Sequence, residues 1–230
     1  MAWDDRRVHP GPYYTVKISH CGAETYTDLK EAQEVVRNYP DSHPEVHTTW
    51  DEADEFRDAR PAWNGLYTVD DEGDHRYVAY VCAYRDEKDL VGIGVWFGDN
   101  NPCNYTGPLE EVGISQKRAE LLAIHQALQI IEQRCEVEKW QLRVRNLDAF
   151  RSVTTEMEAV REKHYRGPDG ELVANGDMYW AINRWIFMKT FYGDIFAFKH
   201  VCNVNEKGYR RAMKLAKRGV HEPTYEVNWG

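Results

Sequence analysis

No stretch of the 230-residue chain approaches the roughly 20 consecutive apolar residues that span a bilayer. Its start, MAWDDRRVHPGPYY, is acidic and polar, unlike a targeting peptide. Both absences exclude a membrane partner and predict an intracellular protein, nuclear or cytoplasmic and not secreted. The five cysteines, at 21, 82, 103, 135 and 202, are odd in number and never form a CxxC, which argues against a disulfide framework or a zinc site and predicts buried free thiols. A basic excess is missing too. With 29 Lys and Arg against 38 Asp and Glu, the net charge of −9 excludes a protein that coats nucleic acid indiscriminately. No internal repeat or low-complexity tract occurs. His43 and His47 stand four apart, but Pro44 interrupts them and no third ligand suggests itself, so no metal site is expected there.

What is present begins with a helix. Over Ile114–Ile131, Leu121, Ile124, Leu128 and Ile131 recur at spacings of three and four, with Ser115 placed as an N-cap. Glu120 lies on or beside the apolar face, because steps of four, three and four from it reach Ile124, Ala127 and Ile131. A carboxylate so placed needs a partner, a metal or a proton, since an unpaired buried charge is costly.

Read in order, residues 1–11 form a polar leader. Residues 12–58 make a small α+β module: a strand at Tyr13–Ile18, a second at Tyr26, a helix capped by Asp28 and a helix from Trp50 capped by Thr48 or Thr49. Residues 59–75 read as a polar linker. The larger domain, 76–220, opens with a hairpin, Arg76–Arg85 and Leu90–Phe97 around a turn at 86–89. A third strand follows from Tyr105, then the 114–131 helix, a strand at Trp140–Arg145, helices over 147–163 and 178–190, a strand at 195–201 and a basic helix at 209–218. A tail, 221–230, closes the chain. A meander followed by crossovers predicts an α/β fold with a mixed, five-stranded sheet flanked by helices.

The larger domain resembles ribonuclease H of the eukaryotic type. Gly92-Ile-Gly-Val-Trp-Phe-Gly98 with Asn101-Pro102, the run Gln116–Leu128, Asp169–Asn175, and Lys199-His-Val201 with Lys214–Gly219 carry the likeness over about 76–220. Residues 13–57 look like the small hybrid-binding domain of those enzymes, through Tyr13–Lys17, Tyr39-Pro40 and Asp51-Glu-Ala53.

The resemblance implies hydrolysis of RNA in RNA–DNA hybrids by two magnesium ions held on Asp, Glu, Asp and Asp. Hard cations require such converging oxygen ligands. Glu120 stands at the Glu. The first Asp falls at Val81 or Cys82, with Arg85 opposite Leu90 and Gly94 opposite Val81; the third falls at Leu147; the fourth falls at Met213. Asp86 and Asp148 serve as ligands only if the site is displaced, and Asp148 also suits the first turn of a helix. The loop histidine expected to aid product release falls at Val204, with no other His nearby. Gln116, Lys117 and Asn175 match positions that meet the hybrid in the family. The basic helix with Arg210, Arg211 and Lys214 could lie on phosphates, or be an ordinary solvated face.

The expected function is therefore a catalytically inactive ribonuclease H-like protein with Glu120 as a vestige, no cofactor, and a protein-interaction or scaffold role with residual weak RNA or hybrid binding. The aromatic run Met178–Tyr192 would supply part of an interface, or only core. Two alternatives are an active nuclease with displaced ligands and magnesium, and a nucleic-acid-binding protein without catalysis. Replacing Glu120 with Gln is expected to change stability little.

Overall fold

A computed structural model of the chain describes residues 11–17, 23–58, 65–69, 73, 75–111, 113–132, 139–191 and 195–222. The chain divides into two compact units, residues 1–64 with 100–104, and residues 65–99 with 105–230. Most of the expected leader and tail, with Cys21 and Cys135, lies outside the described residues.

The first unit holds β1 (Tyr13–Val16), β2 (Glu24–Tyr26), α1 (Leu29–Val35), β3 (Glu45–His47) and α2 (Trp50–Asp58). Asp28 caps α1, its carboxylate accepting from the Lys30 and Glu31 amides at 2.7 and 3.1 Å. At α2, Thr49 Oγ accepts from the Glu52 amide, while the Glu52 carboxylate accepts from the Thr48 and Thr49 amides, a reciprocal capping box. The sheet runs β2-β1-β3. The third strand was not expected: Glu45-Val-His47 has no hydrophobic alternation of its own and is held by pairing Tyr13 with His47 and Thr15 with Glu45. His47 therefore sits on a strand, and the four-residue spacing from His43 never becomes a helix turn.

The second unit comprises β4 (Leu66–Val69), β5 (His75–Arg85), β6 (Val91–Trp96), β7 (Tyr105–Leu109), α3 (Gln116–Glu132), β8 (Lys139–Val144), α4 (Leu147–Arg151), α5 (Met157–Glu162), α6 (Gly176–Phe191), β9 (Ile195–His200) and α7 (Lys207–Gly219). A π-helical segment, Ser152–Glu156, joins α4 to α5. The sheet is mixed, ordered β7-β6-β5-β8-β9, with β8 and β9 parallel to β5 and the meander antiparallel. It carries one strand more than the five expected. β4, inside the presumed linker, pairs Leu66–Val69 with His75–Val78, along the half of the eleven-residue β5 that β6 does not reach. The β-branched and aromatic content of Leu66-Tyr-Thr-Val69 explains its pairing once such an edge is available.

The hairpin register is one residue away from expectation. Arg85 pairs with Val91 and Cys82 with Gly94, because the loop takes five residues. The Asp86 carboxylate accepts from the Lys88 and Leu90 amides at 2.9 Å, and Asp89 adopts a positive φ of 65°. Leu90 is spent in the turn.

Helix α7 lies against one face of the sheet, where Ala212 and Ala216 join Val78, Tyr80, Cys82 and Trp96 in a buried cluster. It approaches so closely because β6 presents glycines. A Cβ on Gly94 would stand 2.3 Å from the Ala212 carbonyl oxygen, and one on Gly92 2.2 Å from that of Ala216. Helix α3 starts on the expected cap, the Arg118 amide donating to Ser115 Oγ at 3.1 Å. It buries Leu121, Ile124, Leu128 and Ile131 as its spacing predicts. Trp185 of α6 donates its indole N–H to His125 of α3 at 3.1 Å. No described helix is long and apolar enough to cross a membrane.

Candidate functional site

Where the C-terminal ends of β8 and β9 meet the starts of α3 and α4 and one side of α7, an open pocket of about 530 Å³ forms. Ala83, Gln116, Glu120, Arg145, Asn146, Leu147, His200, Cys202, Tyr209 and Met213 line it. Of the residues singled out in the sequence, Gln116, Glu120, Leu147 and Met213 thus come together. Cys82 stands just behind, its sulfur 3.9 Å from that of Met213. The four positions at which the resemblance would place carboxylates converge on one place, occupied by a carboxylate, a thiol, a thioether and a leucine.

Glu120 is only 5% exposed. Gln116, one helical turn earlier, donates its side-chain amide to Glu120 Oε1 at 3.3 Å and to the Ala83 carbonyl at 3.0 Å. Among the described residues, Glu120 Oε2 has no hydrogen-bond partner. Burial pushes its pKa up to about 7, against the opposing pull of the Ala83 backbone and the Gln116 amide. The Cys82 thiol is pushed well above its ordinary value, first by burial and then by the Glu120 charge. Burial likewise raises Tyr209 to about 12.

The remaining predicted residues do not line the pocket. Asp86 is occupied by its turn. Asp148 is exposed in the first turn of α4, where it complements the helix dipole. Lys117 Nζ is 2.8 Å from Glu156, which also accepts from Ser152 Oγ and Tyr179 Oη. Asn175, at a positive φ of 64°, precedes α6 and offers its carbonyl to the Tyr179 amide. On α7, Arg211 reaches Asp99 at 3.4 Å, as Lys207 does at 2.6 Å, while Arg210 and Lys214 are exposed.

Two residues were missed. His200 lines the pocket although no histidine was expected near Val204, and Cys202 is exposed there rather than buried. Alternation at a strand end puts residues 200 and 202 on one face, which is the signal that would have found them. His200 Nε2 is 2.8 Å from the Arg145 carbonyl oxygen, and its Nδ1 is 3.4 Å from Cys202 Sγ. The Arg145 guanidinium donates to the Val201 and Cys202 carbonyls, both at 3.1 Å, and clamps that backbone.

A pair of magnesium ions does not fit this donor set. Hard cations take oxygen ligands and their charge must be shared among several carboxylates, whereas Cys82, Met213 and Leu147 offer two sulfurs and a hydrocarbon. Among the described residues, no three His, Cys, Asp or Glu side chains gather as a metal would require.

No family model matches the chain, and no curated protein matches it in sequence. Solved structures do. The native protease–reverse transcriptase of prototype foamy virus superposes with a TM-score of 0.50 at 14% identity, over 79% of this chain and 24% of that one. The PFV RNase H domain in solution gives a TM-score of 0.47 at 14% identity, over 62% of this chain and 92% of that one. Ribonuclease H1 of the halophilic archaeon Halobacterium salinarum gives 0.38 at 16%, over 63% and 97%. At such identities the likeness is one of fold, and this chain spans about a quarter of the protease–reverse transcriptase polypeptide. The mixed sheet with its flanking helices is a ribonuclease H-like fold.

Proposed function

We propose that the protein is a ribonuclease H-like pseudoenzyme, a fold retained for interaction with another protein and not for cleavage of RNA in hybrids. One observation carries the reading: where four carboxylates would have to converge, Glu120 meets Cys82, Leu147 and Met213, with Cys82 and Met213 sulfur to sulfur at 3.9 Å. Against the displaced-ligand alternative stand the use of the Asp86 carboxylate in its own turn and the exposure of Asp148, which is not among the residues lining the pocket. The test is incubation of the purified protein with RNA–DNA hybrid and Mg²⁺ or Mn²⁺. No cleavage is expected, and cleavage that disappears in Glu120→Ala would sink the reading.

The interaction arm rests on α6. Trp180, Phe187 and Met188 are 50%, 63% and 43% exposed and share one helix face with Arg184, whose guanidinium lies 5.3 Å from the Trp180 ring centroid. Aromatic, Met and Arg side chains in one stripe have the composition of an interface core. Residual nucleic-acid binding would fall to Arg210, Lys214 and Lys217, since Gln116 is turned inward and Lys117, Lys207 and Arg211 face acidic partners. So few exposed cations make only weak, salt-sensitive affinity.

A further inference from the structure

The pocket holds a pairing that the proposed function does not use. A backbone carbonyl can only accept, so at 2.8 Å from the Arg145 oxygen His200 Nε2 must carry the ring proton. In the neutral ring, Nδ1 is then left as an acceptor, and it faces Cys202 Sγ at 3.4 Å. Nucleophile, base and a third group that orients the base are thereby in line. The arrangement is held rigid: the Phe150 ring packs against His200 at 5.6 Å between centroids, and Arg145 fastens the carbonyls of residues 201 and 202. Cys202 is exposed at the pocket, while Cys82 and Cys103 are buried.

The rest of the lining indicates what enters. Arg145 offers a cationic wall suited to a carboxylate. Glu120, more than nine-tenths buried, has its Oε2 without a partner among the described residues and, when ionised, can accept an N–H donor. A volume of about 530 Å³ admits a molecule of tripeptide size.

We propose that Cys202 is a nucleophilic thiol, served by His200 as its base, that forms mixed disulfides with small peptide-like thiols carrying a carboxylate and an amide N–H. His200 Nδ1 takes the Sγ–H proton, and the thiolate attacks one sulfur of a disulfide R–S–S–R. The bond from Cys202 Sγ to that sulfur forms as the R–S–S–R bond breaks. The departing thiolate takes the proton from His200. Cys202 is oxidised to the disulfide level and one R–S group is reduced to R–SH, so no further oxidant is needed. This site is independent of the pseudoenzyme reading, because it needs neither hybrid nor protein partner.

The experiment uses the reduced full-length chain with two probes, oxidised glutathione and the uncharged bis(2-hydroxyethyl) disulfide, with the adduct located by peptide mass. One adduct is expected on the Cys202 peptide, absent in Cys202→Ser, with the glutathione disulfide reacting about tenfold faster than the uncharged one. His200→Gln should slow it about tenfold near pH 7. Equal rates for the two probes would overturn the ligand class. A folded His200→Gln protein that reacts as fast as the native one, or in the native protein a faster adduct at another cysteine, would overturn the dyad, and the second outcome does not depend on any variant folding.

Discussion

Glu120 shows how a single side chain was partly legible. The spacing of Leu121, Ile124, Leu128 and Ile131 placed its carboxylate on the buried face, where it is found; its environment was not legible, because Ala83 arrives from a strand more than thirty residues away. The folded pKa of about 7 lies above the ordinary carboxyl value, so the folded state holds a proton that the unfolded chain gives up. The stabilisation is complete below about pH 4.5 and is lost as pH rises towards 7. Over that window it amounts to about 3 kcal/mol at most, at 1.36 kcal/mol per pKa unit. Denaturant midpoints in EDTA should therefore show Glu120→Gln matching the native protein at pH 5 and exceeding it at pH 8, contrary to the neutrality expected from sequence. A native protein equally stable at both values would refute the burial argument. Cys202 and His200 escaped notice because two residues apart on a strand mean little until the neighbouring strand brings the Arg145 carbonyl beside them.

Among the elements, the strongest periodicities translated directly: α3, α6, α7 and the hairpin strands stand close to where spacing put them. The failures are those of pairing. β3 and β4 are short, and each exists because a longer strand offers it an edge; the hairpin register moved because the Asp86 side chain drew Leu90 into the loop. The glycines of β6 were visible, but their reason was not: they admit α7. Gly94→Ala would drive a methyl group to 2.3 Å from the Ala212 carbonyl, an atom of the helix backbone that cannot rotate away. A loss of about 2–3 kcal/mol in unfolding free energy is expected, as for overpacked cores. Gly170→Ala is the contrast. Nothing lies within 4 Å of its Cβ position, and only the positive φ of 82° opposes it, so about 1 kcal/mol is expected in the same assay.

Over the whole molecule, the ribonuclease H-like architecture was readable because strand order, crossovers and turn positions are long-range features written redundantly along the chain. A surface held for a partner should tolerate change without loss of fold. Phe187→Asp, at a position 63% exposed, is expected to leave the unfolding midpoint within about 0.5 kcal/mol of native while abolishing co-purification of a bound protein. Unchanged co-purification would remove α6 from the interaction. The last consequence concerns where the larger unit can be cut. A fragment starting at Arg76, the boundary that composition suggests, discards β4 and leaves the first half of β5 with bare N–H and C=O groups along one side. Such a row is a template for the same strand of another copy. That fragment should therefore form concentration-dependent aggregates by light scattering, whereas one starting at Gly65 should remain monodisperse.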